Sequence, residues 1–171
     1  MKIILMGYMG SGKSTIGKLL ANEMGLRFFD LDAYISEQEG LPIPDIFDQK
    51  GEIYFRKRES EHLVGVLDQE EALVLAVGGG TPCYGTNLQT ILEASPNVFY
   101  LKYPIVELAS RLSMEREQRP LIKDLEAASL QEFIAKHLFE RRAYYEQAHH
   151  IVDGQGLDKM ALVQELAKLL V

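Results

Sequence analysis

Residues 7–14 read Gly-Tyr-Met-Gly-Ser-Gly-Lys-Ser, directly after the apolar run Ile3-Ile4-Leu5-Met6 and before a stretch with helical periodicity. This G-x-x-x-x-G-K-[ST] pattern constrains the fold more than any other feature, because it needs a buried strand entering a tight turn and a helix leaving it. Its glycines let backbone N–H groups turn inward around an anion, and the positive end of the helix dipole faces the same point. The pattern assigns Gly10, Ser11, Gly12, Lys13, Ser14 and Thr15 to a nucleotide triphosphate. Lys13 is expected to reach the β- and γ-phosphates and Ser14 to hold Mg²⁺. The competing reading is a plain Gly-rich turn before a helix; the strand–turn–helix context favours a nucleotide. The pattern alone does not say where the phosphate goes.

Further along, short apolar runs alternate with helical ones. Arg27-Phe28-Phe29, Leu73 to Val77, Val98 to Leu101 and Ile151-Val152 read as strands. The third is apolar at every position, as expected for a strand covered on both faces. A helix from about Lys13 carries Ile16, Leu19, Leu20 and Met24 on one face and ends at Gly25. Ser129 and Glu132 have capping-box spacing and predict a helix start at Ser129. A last helix is expected from about Leu157. Strands alternating with helices imply βαβ units and a mostly parallel sheet of about five strands. Ligands of such sheets lie outside the carboxyl ends of the strands. Gly7–Thr15, Asp30-Leu31-Asp32 and Gly78-Gly79-Gly80 each come directly after a strand, so all three are expected to meet in one crevice.

The 171 residues suit a single domain with a sizeable core. A net charge of −7 argues against nucleic acid and against a basic membrane-surface helix. No apolar run approaches the roughly 20 residues of a membrane span. The first strand begins at once, which predicts no leader segment. A single cysteine, Cys83, excludes an internal disulfide framework and any zinc site built from clustered cysteines, and fits a reducing cytoplasm. Cys83 reads as a small, partly buried thiol. The tandem His149-His150 lacks the spacing of a shared metal face.

Asp30 and Asp32 point the same way on an extended backbone and diverge if a helix begins after Asp30. One then supports Mg²⁺ while the other faces a second substrate; alternatively, Asp32 caps the helix through Ala33-Tyr34-Ile35. Phe55-Arg56-Lys57-Arg58-Glu59 begins another helical run, in which Arg56 and Glu59 are spaced i, i+3, so the carboxylate can orient the guanidinium for a two-bonded grip on an acid. The alternative is a solvated charged face.

Taken together, these segments resemble the shikimate kinases. The matching residues are Gly7–Thr15, Phe29-Asp30-Leu31-Asp32 with Ile35, Ile46-Phe47, Gly51-Glu52, Phe55-Arg56 with Glu59, Gly78-Gly79-Gly80 and Arg119-Pro120-Leu121. Their order and approximate spacing match over essentially the whole chain. The resemblance implies an α/β, P-loop NTPase-like three-layer sandwich spanning residues 1–171. A helical substrate-binding segment would cover about 31–62 and a lid about 112–126. The activity it implies is transfer of the γ-phosphoryl group of Mg·ATP to the 3-hydroxyl of shikimate, in chorismate biosynthesis. It further implies a cytoplasmic monomer with no nucleic-acid or membrane partner.

By the same resemblance, Asp32 binds ring hydroxyls and activates the attacking one, and Asp30 acts on Mg²⁺ through water. Arg56 and an arginine of the helix from Ser129 hold the carboxylate. Arg141 and Arg142 both compete for that role; Arg141 is assigned, because it stands one helical turn before Tyr145, as the family arginine precedes a tyrosine. Gly78, Gly79 and Gly80 admit the ring, Phe47 and Phe55 supply apolar walls, and Arg119 reaches the phosphates from the lid. Core packing is the competing reading for the two phenylalanines. The chain departs from the family in two places. Arg111 is one residue further from Arg119 than the adenine-side arginine, and Asp153-Gly154-Gln155-Gly156 lacks a proline often found there. A gluconate- or nucleoside-monophosphate-type kinase and a catalytically silent nucleotide-binding module are the rival readings.

Overall fold

The computed structural model describes residues 1–119 and 121–171; Pro120, the middle of the Arg-Pro-Leu motif, lies outside the described residues. The order of elements is β1 (Lys2–Met6), α1 (Lys13–Met24), β2 (Arg27–Asp30), α2 (Leu31–Glu39), α3 (Ile43–Lys50), α4 (Glu52–Gln69), β3 (Leu73–Ala76), α5 (Asn87–Ala94), β4 (Val98–Lys102), α6 (Ile105–Met114), α7 (Ala127–Tyr145), β5 (His150–Asp153) and α8 (Lys159–Lys168). The strands form one parallel sheet in the order β2-β3-β1-β4-β5, with helices flanking it. The five apolar runs and the parallel α/β architecture therefore stand as expected.

Central position explains the composition of the strands. Ile3, Ile4, Leu5 and Met6 of β1, and Leu73, Val74 and Leu75 of β3, are all fully buried. A strand with a neighbour on each edge and helices over both faces has no water-facing side, so alternation disappears. The edge strand β2 keeps Arg27 exposed and is nowhere fully buried. The chain leaves β1 toward β2 on one side of it, and leaves β3 toward β4 on the other side of β1. The crevice outside the ends of β1 and β3 is where such sheets bind ligands.

Three helix boundaries differ from expectation. α7 starts at Ala127, and Glu126 precedes it with no side-chain cap, so Ser129 lies inside the first turn and no capping box forms there. Burial of Leu130, Ile134 and Tyr145 secures this helix from one face instead. α4 starts at Glu52 rather than near Phe55. α8 starts at Lys159, where Asp158 Oδ1 accepts from the Ala161 amide at 2.8 Å.

Glu39 of α2 ties to α4, and Lys50 Nζ at the end of α3 lies 3.7 Å from its carboxylate. The Glu39 carboxylate accepts from Tyr54 Oη at 2.6 Å and Arg58 Nε at 2.6 Å, and His62 lies 3.2 Å away. The Tyr54 hydrogen bond first, then Arg58, holds the Glu39 carboxyl down at about 2. Within the charge-dense segment 114–124, Ile122 is fully buried. Its side chain anchors that segment to the core with about 2 kcal/mol of apolar burial.

Candidate active site

The loop after β1 turns around its own lysine. Lys13 Nζ donates to the carbonyls of Gly7 at 2.8 Å and Tyr8 at 3.1 Å. Gly10 and Gly12 adopt φ of 80° and 84°, the left-handed region that points successive amides inward. A cleft of about 740 Å³ opens above the loop and is lined by Gly12, Lys13, Ser14, Asp30, Asp32 and Arg119, among others. Burial pulls the Lys13 ammonium down to about 8, with Asp32 opposing that shift.

The two aspartates after β2 have separate tasks. Asp30 caps α2, its Oδ1 accepting from the Ala33 amide at 3.2 Å, while its Oδ2 accepts from the Ser14 hydroxyl. The helix cap is thus Asp30, not Asp32. Ser14 and Asp30 together present a hydroxyl and a carboxylate beside the phosphate loop, hard oxygen donors that suit Mg²⁺. Among the described residues no cluster of three or more His, Cys, Asp or Glu could hold a metal. Magnesium does not require one, because it keeps several waters and takes phosphate oxygens.

Asp32, in the first turn of α2, is released by that arrangement to face the cleft. Burial first, then Asp30 and Glu59, raise its carboxyl to about 6. Gly78 lets it sit there: a Cβ on Gly78 would lie 2.9 Å from Asp32 Oδ1.

A second cleft, of about 930 Å³, adjoins the first, and Met9 and Arg119 line both. Arg56 and Arg141 line this second cleft from α4 and α7. Arg56 Nη1 donates to Glu59 Oε2 at 2.9 Å, and buried Glu59 also accepts from Thr81 Oγ1 at 2.8 Å. The i, i+3 pair expected from sequence is therefore a buried orienting contact rather than a solvated face. The two guanidiniums converge on the glycines after β3. A Cβ on Gly80 would lie 3.0 Å from Arg56 Nη1 and Nη2 and 3.3 Å from Arg141 Nη2; one on Gly79 would lie 3.2 Å from Arg141 Nη1. Arg142, the neighbour, is exposed and pairs with Glu146 at 2.6 Å. Phe47 lines the cleft, while Phe55 is buried behind it with ring centroids 4.5 Å apart.

Arg119 is held by Glu115, from Nη2 at 2.7 Å and Nε at 3.0 Å. Arg111 reaches the phosphate loop despite its shifted position: Nη1 donates to Gly10 O at 3.3 Å, and its guanidinium lies 4.1 Å over the Tyr103 ring. Beyond the proline-less loop, Leu157 and Lys159 line the first cleft. Of the histidines, His150 stacks on Phe99. Burial raises the Cys83 thiol above its ordinary range.

Sequence reasoning missed several contributors. Tyr145 donates to Gly79 O at 2.6 Å and pins the glycine turn. His137 Nδ1 and Tyr8 Oη share a 2.9 Å hydrogen bond that joins α7 to the phosphate loop. Thr81 and Tyr84 stand directly after the glycine triplet, and that adjacency was the one signal available for them.

Comparison with known proteins converges on one family. The family model described as shikimate kinase matches residues 9–171. A shikimate kinase from Flavobacterium psychrophilum is 39% identical over 99% of this chain and 98% of its own length. One from Flavobacterium johnsoniae is 42% identical over the same shares. Among solved structures, shikimate kinase from Acinetobacter baumannii in complex with shikimate has a TM-score of 0.89 at 32% identity, covering 98% of this chain and 91% of that one. Shikimate kinase from Bacteroides thetaiotaomicron has a TM-score of 0.88 at 31% identity, covering 98% and 95%. A gluconokinase from Sinorhizobium meliloti shares the fold, with a TM-score of 0.58 at 20% identity over 98% and 92%.

Proposed function

The chain belongs to the shikimate kinase family, and on that premise we propose that it transfers the γ-phosphoryl group of ATP to the 3-hydroxyl of shikimate, giving shikimate 3-phosphate and ADP. The observation that carries the reading is the pair of adjoining clefts: a phosphate loop in one, two converging arginines in the other, and Arg119 lining both. Shikimate carries one carboxylate and three hydroxyls on a small ring, and this arrangement matches it group for group.

Gly10 to Thr15 would cradle the phosphates with backbone amides, and Lys13 would leave the Gly7 and Tyr8 carbonyls to pair with the β- and γ-phosphates. Mg²⁺, held by Ser14 and through water by Asp30, would offset charge on the phosphate oxygens. Arg56 and Arg141 would grip the carboxylate at the Gly79–Gly80 turn, where a side chain would intrude on both guanidiniums. Asp32 would accept a hydrogen bond from the attacking hydroxyl and take its proton as the new P–O bond forms. A carboxylate near 6 is ionised at neutral pH yet more basic than an ordinary aspartate, which suits that task. Arg119 would turn from Glu115 to the transferring phosphoryl group as residues of about 112–126 close over ATP and exclude water. Among the described residues no helix is long and apolar enough to cross a membrane. The net charge of −7 disfavours a nucleic-acid partner, and the reaction would take place in the cytoplasm, on a monomer.

ADP release measured with a panel of small alcohols tests the reading. Stimulation by shikimate and not by gluconate or nucleoside monophosphates is expected. Equal stimulation by gluconate, or none by shikimate, would overturn it.

A further inference from the structure

Arg56 is enclosed by more than carboxylates. Its guanidinium carbon lies 3.8 Å from the centre of the Tyr84 ring, 5.1 Å from Phe55 and 5.9 Å from Phe47. Tyr84 reaches this place from the turn after β3 and lines the same cleft. Its hydroxyl donates to Glu52 Oε1 at 3.2 Å, and Glu52 lies 3.8 Å from Arg56 Nε. The Nε atom itself is buried and has no hydrogen-bond partner. Glu59 fixes one corner of the guanidinium through Nη1, but a single hydrogen bond leaves the plane free to tilt about that contact. A ring face whose centre lies 3.8 Å from the guanidinium carbon restricts that tilt, since the cation is attracted to the ring face and water is kept off it.

We propose that Tyr84 is a positioning residue for acceptor recognition: by stacking on Arg56 it holds the guanidinium edge toward the cleft and sets the selectivity for an acceptor bearing a carboxylate. The inference rests on the reading of this cleft as the shikimate site. A carboxylate approaching the exposed edge meets donors already oriented toward the cleft, so little orientational freedom is lost on binding. Without the ring, the same donors must be ordered by the ligand. The effect falls on the charged acceptor alone, because a neutral ester draws little from the guanidinium.

The test compares shikimate with its methyl ester as acceptor in wild-type, Tyr84→Leu and Tyr84→Phe proteins. Tyr84→Leu is expected to lower kcat/KM for shikimate about 10-fold, mostly through KM, with the ester and the KM for ATP unchanged. Tyr84→Phe keeps the ring and is expected to restore the preference for the acid. Equal losses on acid and ester would mean Tyr84 only shapes the cleft and would overturn the proposal. The side-chain ¹⁵N–¹H signal of Arg56 Nε gives a second readout that needs no substrate. An upfield ring-current shift, kept in Tyr84→Phe and lost in Tyr84→Leu, is expected; no difference among the three proteins would overturn the stacking. If shikimate is no substrate of the wild type, the functional reading fails, and this signal still decides whether Tyr84 sets the Arg56 plane.

Discussion

Thr81 Oγ1 donates to Glu59 Oε1 at 2.8 Å, and both side chains are almost wholly buried. That contact divides the Glu59 carboxylate in two: one oxygen belongs to the loop after β3, the other to Arg56 at 2.9 Å. The turn that admits the acceptor and the guanidinium that grips it are therefore joined through one acid. Thr81→Val keeps the shape but leaves a buried carboxylate oxygen without a donor. It is expected to cost about 1–3 kcal/mol of stability and to raise the KM for shikimate several-fold, with the KM for ATP unchanged. Thermal unfolding and steady-state kinetics measure both. An unaltered acceptor KM would show that Glu59 holds Arg56 without help from the loop.

Activity should show a bell-shaped pH profile. Asp32 must be ionised to take the hydroxyl proton, so kcat/KM is expected to rise as pH climbs through about 6. Lys13 must be charged to pair with phosphate, so kcat/KM is expected to fall above about 8. Bound ATP favours the charged lysine, which moves the alkaline limb of kcat to higher pH. A flat profile between pH 5 and 7 would exclude Asp32 as the base.

Asp32→Asn separates chemistry from folding. It is expected to lose several orders of magnitude in kcat while ATP affinity changes little. Its effect on stability has the opposite sign. A carboxyl raised by burial binds its proton more tightly in the folded state, so its favourable contribution is lost as pH rises from about 4 to about 6. At neutral pH the charged form opposes folding, and the amide is expected to stabilise the protein by about 1–2 kcal/mol, allowing for screening by solvent in the cleft. A lower melting temperature at pH 7.5 for Asp32→Asn would contradict this.

Arg141 and Arg142 are expected to part sharply. Arg141→Ala removes a guanidinium beside Gly79 and Gly80 and is expected to raise the acceptor KM by a factor corresponding to about 2–4 kcal/mol. Arg142→Ala breaks only an exposed pair with Glu146 and is expected to leave the acceptor KM within about twofold. Equal effects on the acceptor KM would place the carboxylate elsewhere.

Local chemistry was legible in the order of residues alone. The phosphate loop needs only consecutive residues, so its strand, turn and helix can be read directly from Ile3 to Met24. The runs of β1, β3 and β4 declare themselves because central strands covered on both faces are apolar almost throughout, whereas the edge strands β2 and β5 show only short apolar pairs. The residues at each strand's carboxyl end are likewise readable, which is why Asp30, Asp32 and Gly78–Gly80 could be placed in one crevice. Short-range signals failed where two residues competed for one task. Asp30 and Asp32 both have capping chemistry, and only the backbone entering α2 selects Asp30. Ser129 and Glu132 have capping spacing, yet α7 already begins at Ala127, so Ser129 sits within its first turn. Ile122 carries no periodic signal, because its partners are distant in the chain.

The sequence by itself determined a nucleotide-binding α/β fold and the set of polar groups gathered at its strand ends, since both depend on neighbours within a few residues. Tertiary structure alone decided that Thr81 reaches Arg56 through Glu59, that the Tyr84 ring lies against the same guanidinium, and that Arg119 lies where two clefts meet. Those relations join segments separated by tens of residues, and no local spacing encodes the angle at which separate helices pack against one sheet.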